Sequence, residues 1–195
     1  MKNKQIHSWR TALIAALLPA LLPLSAVAAE PYPVKNINLS IQGFDPSQGL
    51  ALGNIYYFTA SDGSNGEELW KSDGTGAGTV MVKDIRTGST GSYPFPLTFM
   101  DGLFYFTAYD GSKGKELWKS DGTEAGTVMV KDIDAGSSSS YPSFLTAVDG
   151  LLYFTADNGS KGRELWKSDG TEAGTVMVKD IYTIPDSNRS KNQRP

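Results

Sequence analysis

The sequence predicts an all-β protein made of three repeats, each a unit of four short strands. The stretch ELWKSDGTEAGTVMVKDI at 116–133 returns unchanged at 164–181, and the copy at 68–85 differs only by having Gly76 in place of a glutamate. The copies are 48 residues apart, a period typical of propellers, solenoids and arrays. Beyond the N-terminal segment, no stretch shows the 3.6-residue hydrophobic period of an amphipathic helix.

Each repeat contains four strand-like stretches separated by turn residues, as the second repeat illustrates. The first strand is LTFM at 97–100, which ends at the turn dipeptide Asp-Gly. The second, LFYFTA at 103–108, is apolar at successive positions, as expected of a strand buried on both faces. The third strand is ELWKS at 116–120, and the fourth is TVMVKDI at 127–133, rich in β-branched residues. The loop DGTEAG joins the last two strands as a hairpin.

The repeat accounts for nearly all of the chain after its N-terminal segment. Val-Lys-Asn-Ile at 34–37 aligns with Val-Lys-Asp-Ile at 82–85, so the chain starts its repeat pattern with a fourth strand. We therefore expect one repeat domain at 30–181. It comprises a strand at 34–39 and repeats at about 40–85, 86–133 and 134–181.

Four-stranded units of this length suit the blades of a β-propeller, whose repeats run from about 40 to 50 residues. Closed propellers typically have about four to eight blades, so three repeats cannot complete a ring. The sequence therefore predicts propeller-like blades that are either partial or completed by oligomerisation, for which a homodimer is the simplest form. An open β-solenoid of stacked hairpins is the alternative.

The N-terminal segment at 1–29 has the organisation of a secretory signal peptide. Lys2, Lys4 and Arg10 form a positive region, and an apolar run then leads to the small residues Ala26-Val27-Ala28. Two prolines interrupt the apolar run, which argues against a transmembrane span. We expect an exported protein, secreted to the exterior or periplasmic, with no membrane insertion after cleavage.

Composition excludes several classes of partner and of chemistry. Without the three charges at 1–29, 15 basic and 21 acidic residues remain, a formal charge of −6 that gives no reason to bind nucleic acid. The chain has no cysteine, and its one histidine, His7, lies in the signal segment. Ser-His and Cys-His catalytic pairs and imidazole or thiolate metal ligands are therefore absent from the mature chain. The polar segment at 182–195 is predicted to be a disordered tail.

The repeated motif resembles that of the bacterial secreted ELWxxDGT-repeat proteins. It stands in the second repeat as Glu116-Leu117-Trp118 followed by Asp121-Gly122-Thr123, and the first and third repeats carry it intact. The resemblance implies an exported, propeller-like β protein. It carries over no catalytic residue.

The tryptophan of each motif is predicted to be structural. Exposed aromatic side chains can stack on sugars, and three at equivalent positions would form a periodic binding face. Each tryptophan lies in mid-strand next to a leucine, however, which favours packing between successive blades. The predicted core residues are Trp70, Trp118 and Trp166.

The acidic turns are the candidates for a metal site. Oxygen ligands suit Ca²⁺, the one cofactor that the sequence leaves open, and the candidate ligands are Asp73, Asp121 and Asp169. No loop has the dense acidic spacing of an EF-hand, and Asp-Gly-Thr is common turn chemistry in which the carboxylate accepts backbone N–H bonds. A structural turn without metal is the preferred interpretation.

The loops that follow the second and fourth strands form the predicted binding rim. They are rich in serine, glycine and tyrosine, a composition that binding loops use, and they vary most between repeats. A Ser/Gly linker without a role is the alternative. The candidate binding residues are Tyr93, Tyr141, Lys113, Lys115, Lys161 and Arg163.

These features favour a non-catalytic binding or structural repeat protein that contacts a protein or a glycan through one loop rim. A carbohydrate-active enzyme with paired carboxylates is one alternative. The other is a truncated repeat fragment without independent function, since near-identical copies indicate recent duplication.

Overall fold

The computed structural model describes residues 34–35 and 49–181 of the chain. All of them belong to the unit that spans 33–195. The predicted signal peptide at 1–29, most of the predicted strand at 34–39 and the predicted tail at 182–195 lie outside the described residues. No helix in the described ranges is long and apolar enough to cross a membrane.

The described residues form three antiparallel sheets of four strands, each a meander in which chain neighbours pair. The strands of the first sheet are β1 (Leu50–Leu52), β2 (Ile55–Ser61), β3 (Glu67–Ser72) and β4 (Val80–Lys83). Those of the second are β5 (Phe95–Met100), β6 (Leu103–Tyr109), β7 (Lys115–Ser120) and β8 (Val128–Lys131). Those of the third are β9 (Ser143–Val148), β10 (Leu151–Asp157), β11 (Arg163–Ser168) and β12 (Val176–Lys179). The predicted all-β class with three four-stranded repeats is confirmed, and it agrees with both propeller-like blades and an open solenoid.

Each strand of the second repeat differs by one or two residues from its expected bounds, most at the first and fourth strands. The first strand begins at Phe95, two residues before the predicted start at Leu97. The fourth strand ends at Lys131 rather than at Ile133. The reason is that the Ile133 backbone N–H donates to the Glu116 carboxylate, 3.0 Å from Oε2, and so does not continue the sheet ladder.

Every sheet has two faces, which we name after their central residues. The tryptophan face carries a tryptophan from the third strand and a phenylalanine opposite it on the second strand, as in the pair Phe106 and Trp118. The leucine face carries the intervening leucine together with residues from the fourth strand and its end. The residues of the leucine faces are Leu69, Val82 and Ile85 in the first sheet, Leu117, Val130 and Ile133 in the second, and Leu165, Val178 and Ile181 in the third.

The core lies between successive sheets. The leucine face of the first sheet and the tryptophan face of the second form one cluster, in which Leu69 and Trp118 are both buried. The leucine face of the second sheet and the tryptophan face of the third form another, containing Leu117 and Trp166. Trp70 is buried in a smaller cluster on the tryptophan face of the first sheet. Equivalent residues meet at both interfaces, so the repeat in the sequence corresponds to a repeated packing contact between sheets.

Lysine side chains bind backbone carbonyls across each of these interfaces. Lys83 Nζ donates to the Thr127 carbonyl oxygen at 2.9 Å, and Lys131 Nζ donates to that of Thr175 at 2.8 Å. Lys35 Nζ makes the equivalent bond to the Thr79 carbonyl oxygen at 2.7 Å. In all three pairs the donor precedes the acceptor by 44 residues. Lys35 therefore occupies the place of a fourth-strand lysine relative to the first sheet, as the alignment of 34–37 with 82–85 predicts.

Candidate functional site

The Asp-Gly-Thr turns use their carboxylates to hold the turn. Asp121 Oδ1 accepts hydrogen bonds from the Thr123 N–H at 2.8 Å and from the Thr123 hydroxyl at 2.6 Å. These bonds hold the pKa of the Asp121 carboxyl below its ordinary value, with the hydroxyl contributing most. Asp73 and Asp169 make the same pair of bonds and have lowered pKa values for the same reason.

The structure does not bring the three calcium candidates together. Each lies in the turn of a different sheet, and its Oδ1 atom already accepts two hydrogen bonds. Within the described residues, no group of three or more Asp, Glu, His or Cys side chains is arranged to hold a metal ion.

The glutamate of the motif is a structural site that the sequence reasoning missed. Glu116 is fully buried and accepts hydrogen bonds from the Ile133 N–H at 3.0 Å, from the Ser140 N–H at 2.8 Å and from the Ser140 hydroxyl. Glu68 accepts the corresponding bonds from Ile85 and Ser92. Each carboxylate thus ties the end of its own sheet to the segment that leads to the next one.

Burial changes the acidity of these glutamates. Loss of hydration raises the pKa of Glu116 to about 7, against the lowering effect of its three hydrogen bonds. Burial also raises the pKa of Glu68. Strand alternation is the feature of the sequence that could have revealed this burial. Glu116 is two residues before the buried Trp118 and must therefore lie on the same face of the sheet.

The candidate binding site is a cleft between the second and third sheets, on the predicted binding rim. Its volume is about 440 Å³. Its walls are strand β5, the middle of β6, the starts of β7 and β9, and the segment between the two sheets. The lining residues are Phe95, Pro96, Thr98, Thr107, Lys115, Tyr141, Pro142, Ser143, Phe144 and Leu145.

Lys115 is the charged residue of this lining. Its side chain is partly buried, and loss of hydration lowers the pKa of its ammonium group. Within the described part of the chain, no carboxylate forms an ion pair with it. The cleft therefore contains a cation whose partial dehydration is not offset by a counter-ion from the described residues.

Backbone contacts of Lys115 place Tyr141 beside it. The Tyr141 N–H donates to the Lys115 carbonyl oxygen at 3.1 Å, and the Lys115 N–H donates to Ser139 Oγ at 2.8 Å. Tyr141 has a φ of 46°, a left-handed conformation that is uncommon for a tyrosine, and its side chain is exposed. Arg163 reaches the same segment from the third sheet, with Nη1 2.9 Å from the Tyr141 carbonyl oxygen.

The other three candidate binding residues lie outside the cleft lining. Lys113 and Lys161 form exposed ion pairs with Asp132 at 3.8 Å and with Asp180 at 3.3 Å. Tyr93 belongs to the preceding segment, where its N–H donates to the Glu67 carbonyl oxygen at 3.1 Å. Of the six candidates, the cleft therefore unites Lys115 and Tyr141, with Arg163 as a neighbour.

Two phenylalanines of the cleft were not among the candidates. Phe95 is half exposed, and Phe144 is 81% exposed with a φ of 58°. Large apolar side chains this open to solvent are characteristic of contact surfaces when they cluster. Their signal in the sequence was their place within the loops Ser-Tyr-Pro-Phe and Ser-Tyr-Pro-Ser-Phe, next to the tyrosines that were chosen.

Comparisons with known proteins leave the family undetermined. No family model and no curated protein matches the sequence. Among solved structures, the chain is similar to the computationally designed Ika8 protein, with 16% identity and a TM-score of 0.37. The match covers 69% of this chain and 36% of that one, so this chain spans about a third of the length of the designed protein. A likeness at this level does not bear on function.

Proposed function

We propose that the protein is an exported, non-catalytic binding protein that holds an acidic glycan in the cleft between its second and third sheets. The observation that carries the proposal is Lys115, a partly dehydrated cation without a carboxylate partner among the described residues, set among exposed aromatic side chains. Export rests on the signal-like segment at 1–29.

The shape and lining of the cleft support a sugar ligand. A volume of about 440 Å³ lies within the range of small-molecule sites, and it has room for a few sugar rings. Phe95, Tyr141 and Phe144 offer ring faces on which the apolar side of a sugar can stack. An acidic sugar would also supply a carboxylate for Lys115. The charge-assisted hydrogen bond between them would compensate for the water contacts that the ammonium group has lost.

The same lining supports binding rather than bond cleavage. Glycosidases use two carboxyl groups on either side of the scissile bond. The side chains that line this cleft are aromatic, aliphatic, proline and hydroxyl residues and one lysine. We therefore propose that a bound glycan is retained and not hydrolysed.

Isothermal titration with acidic and neutral oligosaccharides of equal length tests this function. We expect tetragalacturonate to bind and cellotetraose to bind at least about tenfold more weakly, because only the former supplies a carboxylate. Binding should weaken with added salt, since it includes an ion pair. Unchanged lengths of both oligosaccharides after long incubation would support the absence of catalysis, and shortened products would contradict it.

Two lysine variants provide a matched comparison. Lys115→Gln should remove most of the preference for the acidic sugar, whereas Lys113→Gln should keep it because Lys113 lies outside the cleft and pairs with Asp132. Phe144→Ala should weaken both ligands, with unchanged thermal unfolding because the side chain is exposed. Equal binding by wild type and Lys115→Gln would refute the proposed site.

A further inference from the structure

The loop between β10 and β11 differs in sequence from the equivalent loops of the other two repeats. It begins with Asp-Asn-Gly at 157–159, where the first repeat has Ser-Asp-Gly at 61–63 and the second has Tyr-Asp-Gly at 109–111. An asparagine followed by glycine is especially open to internal ring closure, because glycine has no side chain to hinder attack by its backbone nitrogen on the asparagine side chain. The third repeat therefore has a reactive amide at a position that carries a carboxylate in the other two.

Three hydrogen-bond donors surround the side-chain oxygen of Asn158. Its Oδ1 accepts bonds from the Lys161 N–H at 2.9 Å, from the Ser160 N–H at 3.1 Å and from the Ser160 hydroxyl at 3.1 Å. Attack on the amide carbon moves negative charge onto this oxygen, and donors that already point at it stabilise that charge. The turn therefore resembles an oxyanion hole built around the Asn158 amide.

A carboxylate accepts a hydrogen bond from the nitrogen that would attack. The Gly159 N–H donates to Asp157 Oδ1 at 2.9 Å, a distance at which a carboxylate can act as a general base. In the first repeat, the equivalent Gly63 N–H donates to the Ser61 hydroxyl oxygen at 3.2 Å, and a hydroxyl is a far weaker base. The sequence of the third repeat thus combines the amide, the unhindered nitrogen and the base in three successive residues.

We propose that Asn158 is a self-modification site, at which the folded protein converts this asparagine to aspartate or isoaspartate. The Gly159 nitrogen gives its proton to Asp157 and forms a bond to Cγ of Asn158. The Cγ–Nδ2 bond then breaks, the released nitrogen takes up the proton and leaves as ammonia, and a succinimide ring remains. Water opens the ring, giving aspartate when the new Cγ–N bond is cleaved and isoaspartate when the backbone C–N bond is cleaved.

The aspartate product fits the same turn. In the second repeat, Asp110 Oδ1 accepts bonds from the Ser112 N–H at 2.7 Å, from the Ser112 hydroxyl at 3.0 Å and from the Lys113 N–H at 2.8 Å. These are the donors that Asn158 uses in the third repeat, so conversion to aspartate keeps the turn. The loop gains a negative charge close to Asp134, whose Oδ1 would lie 2.5 Å from a Cβ atom added at the following glycine.

A second Asn-Gly pair in the chain lacks these features. Asn65 Nδ2 donates to Asp62 Oδ2 at 2.7 Å, and the hydrogen bonds among the described residues bring no donor to its Oδ1. A Cβ atom added at Gly66 would overlap the Gly91 backbone, so this part of the loop is closely packed. Asn65 therefore shares the local sequence of Asn158 without the donors around its amide oxygen.

Peptide mapping by mass spectrometry of the full mature chain, incubated at mildly alkaline pH, tests the proposal. In the folded protein, Asn158 should be converted at least about tenfold faster than Asn65, because its oxyanion is stabilised. In urea the two should react at similar rates, because both are then Asn-Gly pairs in an unfolded chain. Release of ammonia should match the amount of converted peptide.

Substitutions in the loop test the role of the base. Asp157→Ser, which introduces the residue of the first repeat, should slow the conversion by at least about tenfold, because the general base is lost. Asp134→Ser is the matched control: its carboxylate lies close to Gly159 but accepts no bond from its N–H, so the rate should be preserved. Ser160→Ala should slow the reaction less, since the two backbone donors remain.

Each result decides the proposal in one direction. Faster conversion of Asn158 than of Asn65 in the folded protein, lost in urea and in Asp157→Ser, supports it. Equal rates at the two asparagines in the folded protein, or conversion of Asn158 only after unfolding, overturn it. Equal rates in wild type and folded Asp157→Ser also overturn it. Thermal unfolding shows whether each variant has folded, and the comparison of the two asparagines in wild type decides the matter if Asp157→Ser has not.

Discussion

Replacement of Glu116 by glutamine should remove a defined part of the pH dependence of stability. Glu116 is fully buried between the end of its own sheet and the segment that leads to the third sheet. Burial raises its pKa from the ordinary 4.5 to about 7, and the negative charge of nearby Asp132 adds to the shift. Glutamine has nearly the same shape and does not titrate.

The direction and size of the effect follow from this pKa. Between pH 4.5 and about 7 the folded protein holds a proton that the unfolded chain has released. The contribution of Glu116 to stability is therefore complete below pH 4.5, falls as the pH rises, and reaches its lower limit above about 7. At about 1.4 kcal/mol per pKa unit, the loss across this window is about 3 kcal/mol.

Urea unfolding at a series of pH values from 4.5 to 8 measures this difference. Wild type should lose about 3 kcal/mol more unfolding free energy across the series than Glu116→Gln, whatever the stability of the variant at any one pH. Glu68 also has a raised pKa and remains in both proteins, so some decline should persist in the variant. Glu124→Gln, an exposed substitution in the same repeat, should follow the wild-type curve.

Parallel curves for wild type and Glu116→Gln would refute the reasoning. They would mean that the buried carboxyl releases its proton at the same pH in the folded and unfolded states, so that its hydrogen bonds offset its dehydration completely. If the unfolding free energy of the variant fell more steeply with pH than that of wild type, the raised pKa would belong to a group other than Glu116.

Three further predictions concern the repeated elements. Trp118→Ala should reduce the unfolding free energy by about 3–5 kcal/mol, measured with urea, because it opens a cavity between two sheets. Millimolar Ca²⁺ should raise the melting temperature little, since Asp121 Oδ1 already accepts two hydrogen bonds; a large rise that EDTA reverses would contradict this. Gly122→Asn should be less stable than Gly74→Asn by about 1–3 kcal/mol, because only the former meets the Tyr57 hydroxyl; equal unfolding free energies would contradict the contact.

The period and the turn dipeptides were sufficient to predict the fold. Asp101-Gly102 and Asp149-Gly150 form turns with positive φ at both residues, and the strands on either side of each turn pair antiparallel as predicted. These are local properties, encoded within a few residues. The turns and strands could therefore be predicted from the sequence without knowing which sheets pack against each other.

The candidate site was only partly predictable because it depends on contacts between repeats. Lys115 and Tyr141 were chosen for their loop composition, but their proximity comes from a backbone hydrogen bond between residues 26 positions apart. Lys113 has the same charge and lies two residues away, yet it pairs with Asp132 instead. Sequence position alone does not distinguish these two lysines, since the difference arises from which of them the neighbouring sheet covers.

The buried glutamate shows how a repeated polar residue can be overlooked. A carboxylate that recurs in every copy has the pattern of surface turn chemistry, and Asp121 fits that description. Glu116 recurs equally, but it lies on the buried face and accepts bonds from the Ile133 N–H, just beyond the shortened fourth strand, and from the Ser140 N–H of the following segment. The distinction is the strand position, because an acid at an even spacing from a buried tryptophan must itself be buried or must end the strand.

The position that precedes this glutamate differs in all three repeats. It is Glu67 in the first repeat, Lys115 in the second and Arg163 in the third. The carbonyl oxygens of Glu67 and Lys115 each accept a hydrogen bond from a tyrosine N–H at 3.1 Å, so the backbone geometry is the same while the side-chain charge reverses. A position whose backbone role is constant can change its side chain without cost to the fold. This separation allows a uniform scaffold to carry a cleft with its own charge, which is supplied by Lys115 and not by the repeated motif.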